Sequence, residues 1–175
     1  MLEHKDFLIF SEYYNGLEED LFKLSVDTEK TVLSGIQDFV GVKAVIIKNG
    51  KLIHYRYKHR LTSGEMLIMG HQRGTLPKPY NVDDKNVLQL MCYEICFPED
   101  FYNLDNKIDL IVHHIGFPMY DRNQYIAWEA LQKAAVEHFK CPLVSVCGGK
   151  NNSLNLTHKL YHSSFQTTSE KEKTL

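Results

Sequence analysis

Short apolar runs, each separated from the next by a polar segment, recur along the chain. Continuous apolar runs of roughly four to eight residues are typical of strands that are buried on both faces. We therefore predict strands near residues 7–10, 42–48, 51–57, 87–91, 108–112 and 142–147. Asn49-Gly50 separates two of these runs, and because this dipeptide favours a type I′ turn, residues 42–57 are predicted to form a hairpin.

Two longer segments carry apolar residues at helical spacing instead. The spacing predicts one helix over residues 18–39, with an apolar face formed by Leu21, Leu24, Thr28, Val32, Ile36 and Phe39. It predicts a second helix over residues 121–139, with a face formed by Trp128, Leu131, Ala135 and Phe139. A short helix is expected from Phe97 to Leu104. Strands that alternate with helices indicate an α/β fold.

Composition and charge narrow the class of protein. The 175 residues suit one domain, predicted over residues 1–149, followed by a polar C-terminal tail over residues 150–175. An apolar share of 43% is enough for a core, and a net charge of −2 with interspersed signs argues against a nucleic-acid or membrane partner. Because Met1 to Asp6 lacks the apolar core of a signal peptide, we expect a cytoplasmic protein.

Cys92 stands at a predicted corner, between the strand 87–91 and the short helix that follows it. A nucleophile at such a corner is exposed and lies beside backbone N–H groups that can hold an oxyanion. The alternative is that Cys92 is a small buried apolar residue that closes a strand, as many free cysteines are. The chain has four cysteines without disulfide-framework spacing, and we expect all of them to be reduced: Cys92, Cys96, Cys141 and Cys147.

Three segments resemble the sequence boxes of one family, the nitrilase (carbon–nitrogen hydrolase) superfamily. Cys92-Tyr93-Glu94-Ile95-Cys96-Phe97-Pro98-Glu99 is similar to its cysteine box, Cys-Tyr-acidic-x-Arg-Phe-Pro-Glu, with cysteine in place of arginine. Ile9-Phe10-Ser11-Glu12 resembles the box apolar-Phe-Pro-Glu, with serine in place of proline. Tyr57-Lys58-His59-Arg60-Leu61 resembles the lysine box, Tyr-x-Lys-x-His-Leu, compressed and with arginine in place of histidine.

The resemblance implies a catalytic triad of Glu12, Lys58 and Cys92, which follow one another in the family's order. Glu12 would be the general base, and Lys58 together with the Tyr93 backbone N–H would stabilise the oxyanion. Glu65 would be an accessory glutamate that positions the substrate or the lysine. Taken by itself, Glu12 is also compatible with an ordinary exposed acid at a strand end, and Lys58 with a solvated basic cluster.

The fold that the resemblance implies is an α-β-β-α sandwich, incomplete at both ends because family members carry further elements on both flanks. The strand 108–112 would end at the same rim as Cys92, which makes His114 and Phe117 candidate substrate-binding residues. Missing outer elements would leave apolar surface uncovered, so we expect a homodimer or a larger assembly. A stable monomer near 20.4 kDa in light scattering would contradict this expectation.

The implied activity is hydrolysis of a small-molecule amide or nitrile at its C–N bond, through a cysteine thioester and without a metal or organic cofactor. We expect Lys58 and the helix N-terminus to lower the pKa of Cys92 below the roughly 8.5 of a free thiol. One alternative is a catalytically inactive relative that serves as a binding or assembly subunit. Another is a zinc site that includes Cys96, His113 and His114 besides Cys92, although adjacent histidines on a strand point to opposite faces.

Overall fold

Two five-stranded β-sheets pack face to face, and each carries one long helix on its outer face. The computed structural model describes residues 2–3, 6–13, 18–105, 107–149 and 154–161. Within these ranges the layers follow the order α-β-β-α, which confirms the predicted fold class. Three larger apolar clusters hold the layers together: one lies between the sheets, one lies under the first helix and one lies under the second helix. A fourth, smaller cluster consists of Val42, Ala44 and Met91.

The first sheet is built from the N-terminal third of the chain, with spatial order β1-β2-β3-β4-β5. Its strands are β1 (Leu2–Glu3), β2 (Phe7–Ile9), β3 (Thr31–Gln37), β4 (Val42–Lys48) and β5 (Lys51–Tyr57). Strands β2 and β3 are parallel and are joined through helix α1 (Glu18–Asp27), while the other neighbours pair antiparallel. The predicted hairpin is confirmed, and Asn49 and Gly50 have φ angles of 49° and 68°, as a type I′ turn requires.

The second sheet has the order β6-β7-β8-β9-β10. Its strands are β6 (Tyr80–Val82), β7 (Lys85–Met91), β8 (Leu110–Ile115), β9 (Leu143–Cys147) and β10 (His158–Leu160). The three central strands are parallel, so their carboxyl ends lie at one edge of the sheet. Helix α2 (Arg122–Phe139) connects β8 to β9, and its N-cap is Asp121, whose side chain accepts a hydrogen bond from the Gln124 backbone N–H.

The single helix predicted over residues 18–39 is wrong. The structure ends α1 at Asp27 and places strand β3 at Thr31–Gln37. Glu29 lies between them with a φ angle of 56°, a left-handed conformation that ends a helix. Six of the seven residues of β3 are buried because the strand packs between α1 and the other sheet, and a strand buried on both faces lacks the alternation that would distinguish it from a helix.

Two smaller expectations are also corrected. The helix expected at 97–104 is replaced by two short 3₁₀ helices, at Cys92–Cys96 and Pro98–Asp100. Residues 62–84, for which no element was predicted, contain a π-helical turn at Gly64–Ile68 and strand β6. Part of the predicted polar tail belongs to the folded domain, because β10 pairs with β9 and Leu156 is fully buried.

Several large apolar side chains are exposed, including those of Phe39, Leu67 and Ile68. Such surface is compatible with the homo-oligomer expected from the sequence, and that assembly stays a prediction. In the described part of the chain, no helix combines the length and the apolar character needed to cross a membrane.

Candidate active site

The structure brings Glu12, Lys58, Glu65 and Cys92 together at one end of the two sheets. Glu12 follows β2, Lys58 directly follows β5, Glu65 lies in the π-helical turn and Cys92 directly follows β7. All four line one cavity of about 370 Å³. Their catalytic roles stay predictions, but the grouping requires the sandwich, since the first two belong to one sheet and Cys92 belongs to the other.

The backbone at Cys92 makes a sharp corner between strand β7 and the 3₁₀ helix that follows it. Its φ angle is 46°, a left-handed conformation that costs a non-glycine residue about 1–3 kcal/mol. The His113 ring donates from Nε2 to the Cys92 carbonyl over 2.9 Å, and Gln132 hydrogen-bonds the other ring nitrogen at 2.8 Å. This network holds the strained corner in place and turns the cysteine side chain toward the cavity.

Lys58 is the centre of the charged cluster. Its Nζ lies 2.6 Å from Glu12 Oε1 and 2.7 Å from Glu65 Oε1, and all three side chains are almost completely buried. The Cys92 thiol also hydrogen-bonds Glu12. One ammonium group therefore bridges two carboxylates, and one of those carboxylates also contacts the sulfur.

Glu65 is held by a local motif and by a tyrosine. Its Oε2 accepts hydrogen bonds from the Thr62 backbone N–H at 2.7 Å and from the Thr62 hydroxyl at 2.9 Å. The Tyr13 hydroxyl donates to Glu65 Oε1 at 3.1 Å. Thr62-Ser63-Gly64-Glu65 has the spacing of a capping box, a signal in the sequence that identifies this contact. Tyr13 has no comparable local signal, because its partner lies 52 residues away.

Two glycines let the backbone pass close to Glu12. A Cβ atom added at Gly35 would lie 2.1 Å from the Glu12 carbonyl oxygen, and one at Gly116 would lie 2.8 Å from Glu12 Oε2. Both distances are too short for any side chain. Gly35 falls within the helix predicted over residues 18–39, but it lies in the middle of β3 and leaves room for the Glu12 backbone.

A second buried ion pair joins the lysine loop to the cysteine corner. Arg56 on β5 makes a two-pronged contact with Glu94, at 2.8 and 2.5 Å. The same carboxylate accepts the backbone N–H groups of His59 and Met91, each at 2.8 Å. Because His59 follows Lys58 and Met91 precedes Cys92, Glu94 ties together the two segments that carry the candidate catalytic side chains.

Burial and neighbouring charges shift the pKa values of Glu12 and Glu65 in opposite directions. Burial raises the pKa of Glu12 above 4.5, although Lys58 opposes the rise. Burial also acts on Glu65, but the Lys58 charge and the Thr62 hydrogen bonds outweigh it and lower its pKa. Glu65 is therefore the permanent counter-ion of the lysine, and Glu12 is the carboxylate suited to taking up a proton.

The expectation that Lys58 and the helix N-terminus bring the pKa of Cys92 below that of a free thiol is wrong. Burial and the negative charge of Glu12 raise the pKa of this thiol well above 9, and the Lys58 ammonium only partly offsets them. Burial is the largest cause, because it removes a thiolate from water, and the adjacent Glu12 charge adds to it. The helix after Cys92 is also a single 3₁₀ turn rather than a longer α-helix.

The remaining predicted site residues separate into two groups. Tyr93 and Phe117 line the cavity, and the Phe117 ring lies 5.6 Å from the Tyr13 ring. His114 does not line it, so its assignment as a substrate-binding residue is wrong. Its ring is completely buried between the sheets, where it contacts the Phe10 carbonyl at 2.6 Å and the Gln89 side chain at 2.8 Å. Burial lowers its pKa to about 4.

The alternative zinc site is not assembled in the described residues, where no group of three or more potential ligands comes together. His113 contacts Gln132 and Trp128 on the helix side of strand β8, whereas His114 contacts Gln89 in the neighbouring strand. The two rings lie on opposite faces, as adjacent strand residues must.

The three departures from the family boxes leave the cluster intact. Arg60 forms a two-pronged ion pair with Asp100 at 2.5 and 2.7 Å and lies over the Phe97 ring. Cys96 packs against the core under helix α2, where burial raises its pKa to about 11. The Ser11 carbonyl accepts the Gly35 backbone N–H at 3.1 Å and so helps to place the segment that carries Glu12.

Solved structures of carbon–nitrogen hydrolases match the fold. XC1258 from Xanthomonas campestris, a CN-hydrolase superfamily protein, superposes with a TM-score of 0.67 at 16% identity, over 87% of this chain and 67% of that one. A carbon–nitrogen hydrolase from Helicobacter pylori G27 gives 0.66 at 15% identity, over 81% and 61%. A glutamate-to-glutamine variant of an amidase from Nesterenkonia sp. AN1, with acrylamide added to its active-site cysteine, gives 0.64 at 13%, over 80% and 64%.

This chain therefore has the fold of the CN-hydrolase, or nitrilase, superfamily. It spans about 61 to 67% of the length of these three structures. No protein-family model and no curated protein sequence matches it.

Proposed function

We propose that this chain hydrolyses the C–N bond of small amides through a thioester on Cys92. The observation that carries the proposal is the placement of the Lys58 ammonium between Glu12 and Glu65, in the same cavity as a cysteine at a strained corner. A nucleophile, a hydrogen-bonded base and a buried cation at one site are the groups that acyl transfer needs. The superfamily fold supports the same reaction class.

The first half-reaction begins from the neutral thiol. As the Cys92 sulfur attacks the amide carbonyl, its proton passes to the Glu12 carboxylate, with which it is already hydrogen-bonded. The raised pKa of Glu12 makes this carboxylate a better proton acceptor. The carbonyl oxygen becomes an oxyanion, for which Lys58 and the Tyr93 backbone N–H are the proposed donors. Glu12 then returns the proton to the nitrogen, the C–N bond breaks, and ammonia or an amine leaves.

The second half-reaction regenerates the enzyme. Glu12, ionised again, takes a proton from a water molecule that attacks the thioester carbonyl. The C–S bond breaks, the sulfur recovers the proton, and the carboxylic acid departs. The neutral resting thiol fits this scheme, because the proton moves during attack rather than before it.

The test is an ammonia-release assay on the purified chain with acetamide and longer primary amides, together with hydroxylamine trapping. A thioester intermediate transfers its acyl group to hydroxylamine, which gives a hydroxamate, and intact-protein mass spectrometry detects acylated Cys92. Cys92→Ala is expected to abolish both signals, whereas Cys96→Ala, the matched thiol outside the cluster, is expected to retain them. Absence of ammonia, hydroxamate and acyl-enzyme in folded wild-type protein would favour the alternative of a catalytically inactive binding or assembly subunit.

A further inference from the structure

The walls of the cavity differ sharply in chemistry from its floor. The charged cluster and Cys92 form the floor, whereas the walls are mainly aromatic and thioether side chains: Met69, Tyr93, Phe117, Met119, Tyr120 and Trp128. The volume of about 370 Å³ corresponds to on the order of ten water molecules at roughly 30 Å³ each. An amide head group fills only a small part of that space, so the walls contact whatever group the amide carries.

Among the described residues, the walls hold no cationic side chain that could balance a negative charge on that group. Lys58 is the only cationic side chain among the described residues that line the cavity, and both Glu12 and Glu65 already contact its ammonium. When both glutamates are ionised, the cluster carries a formal charge of −1. A carboxylate on the substrate would therefore lose hydration and meet a net negative charge.

Two of the uncharged polar side chains of the walls, those of Thr62 and Gln124, already make hydrogen bonds within the protein. The Thr62 hydroxyl donates to Glu65 at 2.9 Å. The Gln124 side-chain oxygen accepts the Tyr120 backbone N–H at 2.6 Å. The Tyr13 and Phe117 rings, tilted against each other with centroids 5.6 Å apart, present an apolar surface beside Glu65.

From this cavity we infer the substrate class: primary amides whose acyl group is uncharged and apolar, either aromatic or a branched or medium-length alkyl chain. Amides that carry a second carboxylate, such as glutaramate, are excluded. This inference rests on the proposed C–N hydrolase function and adds the specificity of the same site.

The first experiment uses a matched pair of substrates. Glutaramate and 5-methylhexanamide have the same chain length and shape, but the first ends in a carboxylate and the second in two methyl groups. We expect kcat/KM to be at least about 100-fold higher for 5-methylhexanamide, since like-charge placement costs several kcal/mol. Equal values, or a preference for glutaramate, would overturn the substrate class while leaving the hydrolase function standing.

A charge placed on the wall gives a second test. Tyr120 lines the cavity and is 89% exposed, so Tyr120→Lys adds a cation without disturbing the core. Tyr120→Lys is expected to raise kcat/KM for glutaramate about tenfold and to lower kcat/KM for 5-methylhexanamide. Tyr161→Lys is the control, because Tyr161 is also exposed but follows β10 at the opposite end of the sheet. An equal effect of both variants would contradict the inference.

Alkylation of Cys92 separates the two proposals. Iodoacetamide is neutral and iodoacetate is anionic, and both alkylate thiols. With rates normalised to those of glutathione, we expect Cys92 to favour iodoacetamide at least about tenfold, because the anion meets the uncompensated charge. If no amide is hydrolysed but this preference is found, the hydrolase function fails and the neutral ligand class stands. A ratio equal to that of glutathione would overturn the ligand class whatever the turnover.

Discussion

Two buried ion clusters start near the C-terminal end of strand β5, from Arg56 and Lys58, which are two positions apart, and they differ in charge balance and in access to the cavity. Arg56 pairs with Glu94 alone, one charge against one, and backbone N–H groups occupy the remaining carboxylate positions. Lys58 pairs with two carboxylates, and its cluster opens onto the cavity. The first cluster is electrically neutral and enclosed, whereas the second has an excess negative charge and contacts a thiol.

The difference is visible in the pKa values. Burial acts on Glu94, but Arg56 and the N–H groups of His59 and Met91 outweigh it and lower its pKa, so this carboxylate stays ionised. Burial raises the pKa of Glu12, which shares its lysine with a second carboxylate. A carboxylate whose oxygens all accept hydrogen bonds from a cation and backbone N–H groups stays ionised and serves a structural role. A carboxylate that shares its counter-ion with a second carboxylate can exchange a proton.

The largest expected effect is on stability, from Glu94→Gln. Removing this charge leaves the Arg56 guanidinium buried without a counter-ion, which is expected to cost about 3–5 kcal/mol of unfolding free energy. Urea denaturation followed by circular dichroism measures the loss. Glu99→Gln is the matched control, because Glu99 makes only an exposed 3.5 Å contact with Arg60. A loss of unfolding free energy below 1 kcal/mol for Glu94→Gln would show that the Arg56–Glu94 ion pair does not stabilise the fold.

Glu12→Gln is expected to have a small effect on stability and a large effect on catalytic activity. Lys58 keeps Glu65 as a counter-ion, so the change in unfolding free energy should be much smaller than for Glu94→Gln. Loss of the proposed base should lower kcat about 100-fold or more, measured as ammonia release from a neutral amide. Activity within tenfold of wild type in a folded variant would remove Glu12 from the mechanism.

The two glutamates should also respond oppositely to pH. The lowered pKa of Glu94 gives stability that is present above about pH 4.5 and is lost as the pH falls further. The raised pKa of Glu12 gives stability that is present below about pH 4.5 and is lost as the pH rises through its folded-state value. The advantage of wild type over Glu94→Gln should thus shrink below pH 4.5, and that over Glu12→Gln should shrink above it. Unfolding free energies of wild type and both variants, measured from pH 3 to 8, give the wild-type advantage over each variant as a function of pH. If both advantages changed in the same direction with pH, the two glutamates would not differ as described.

The smallest expected effect is a shift in thiol reactivity. Because the Glu12 charge raises the pKa of Cys92, Glu12→Gln should move the pH profile of Cys92 alkylation to lower pH. Cys96 is an internal control, since burial alone raises its pKa, to about 11, and its profile should not move. Peptide mapping after timed chloroacetamide treatment gives both profiles in one sample. An unchanged Cys92 profile would mean that Glu12 does not act on the sulfur.

Local sequence determined the elements whose signals are short and self-contained. Asn49-Gly50 favours positive φ angles and so predicts the hairpin, and the apolar spacing of residues 121–139 predicts α2. The cysteine box was recognisable by itself, whereas Glu12 and Lys58 were indicated as site residues only by their order with Cys92 along the chain. These features depend on a few neighbouring residues, which a sequence displays directly.

Only the tertiary structure decided the features that depend on partners far apart in the chain. Residues 31–37 form a strand because a second sheet covers them, although their apolar spacing continues that of α1. His114 lies between the sheets rather than in the cavity because alternate residues of β8 face opposite ways. The pKa of Cys92 rises because burial and the charge of Glu12 outweigh the lysine, and burial and charge depend on the surroundings in three dimensions, which local patterns do not encode.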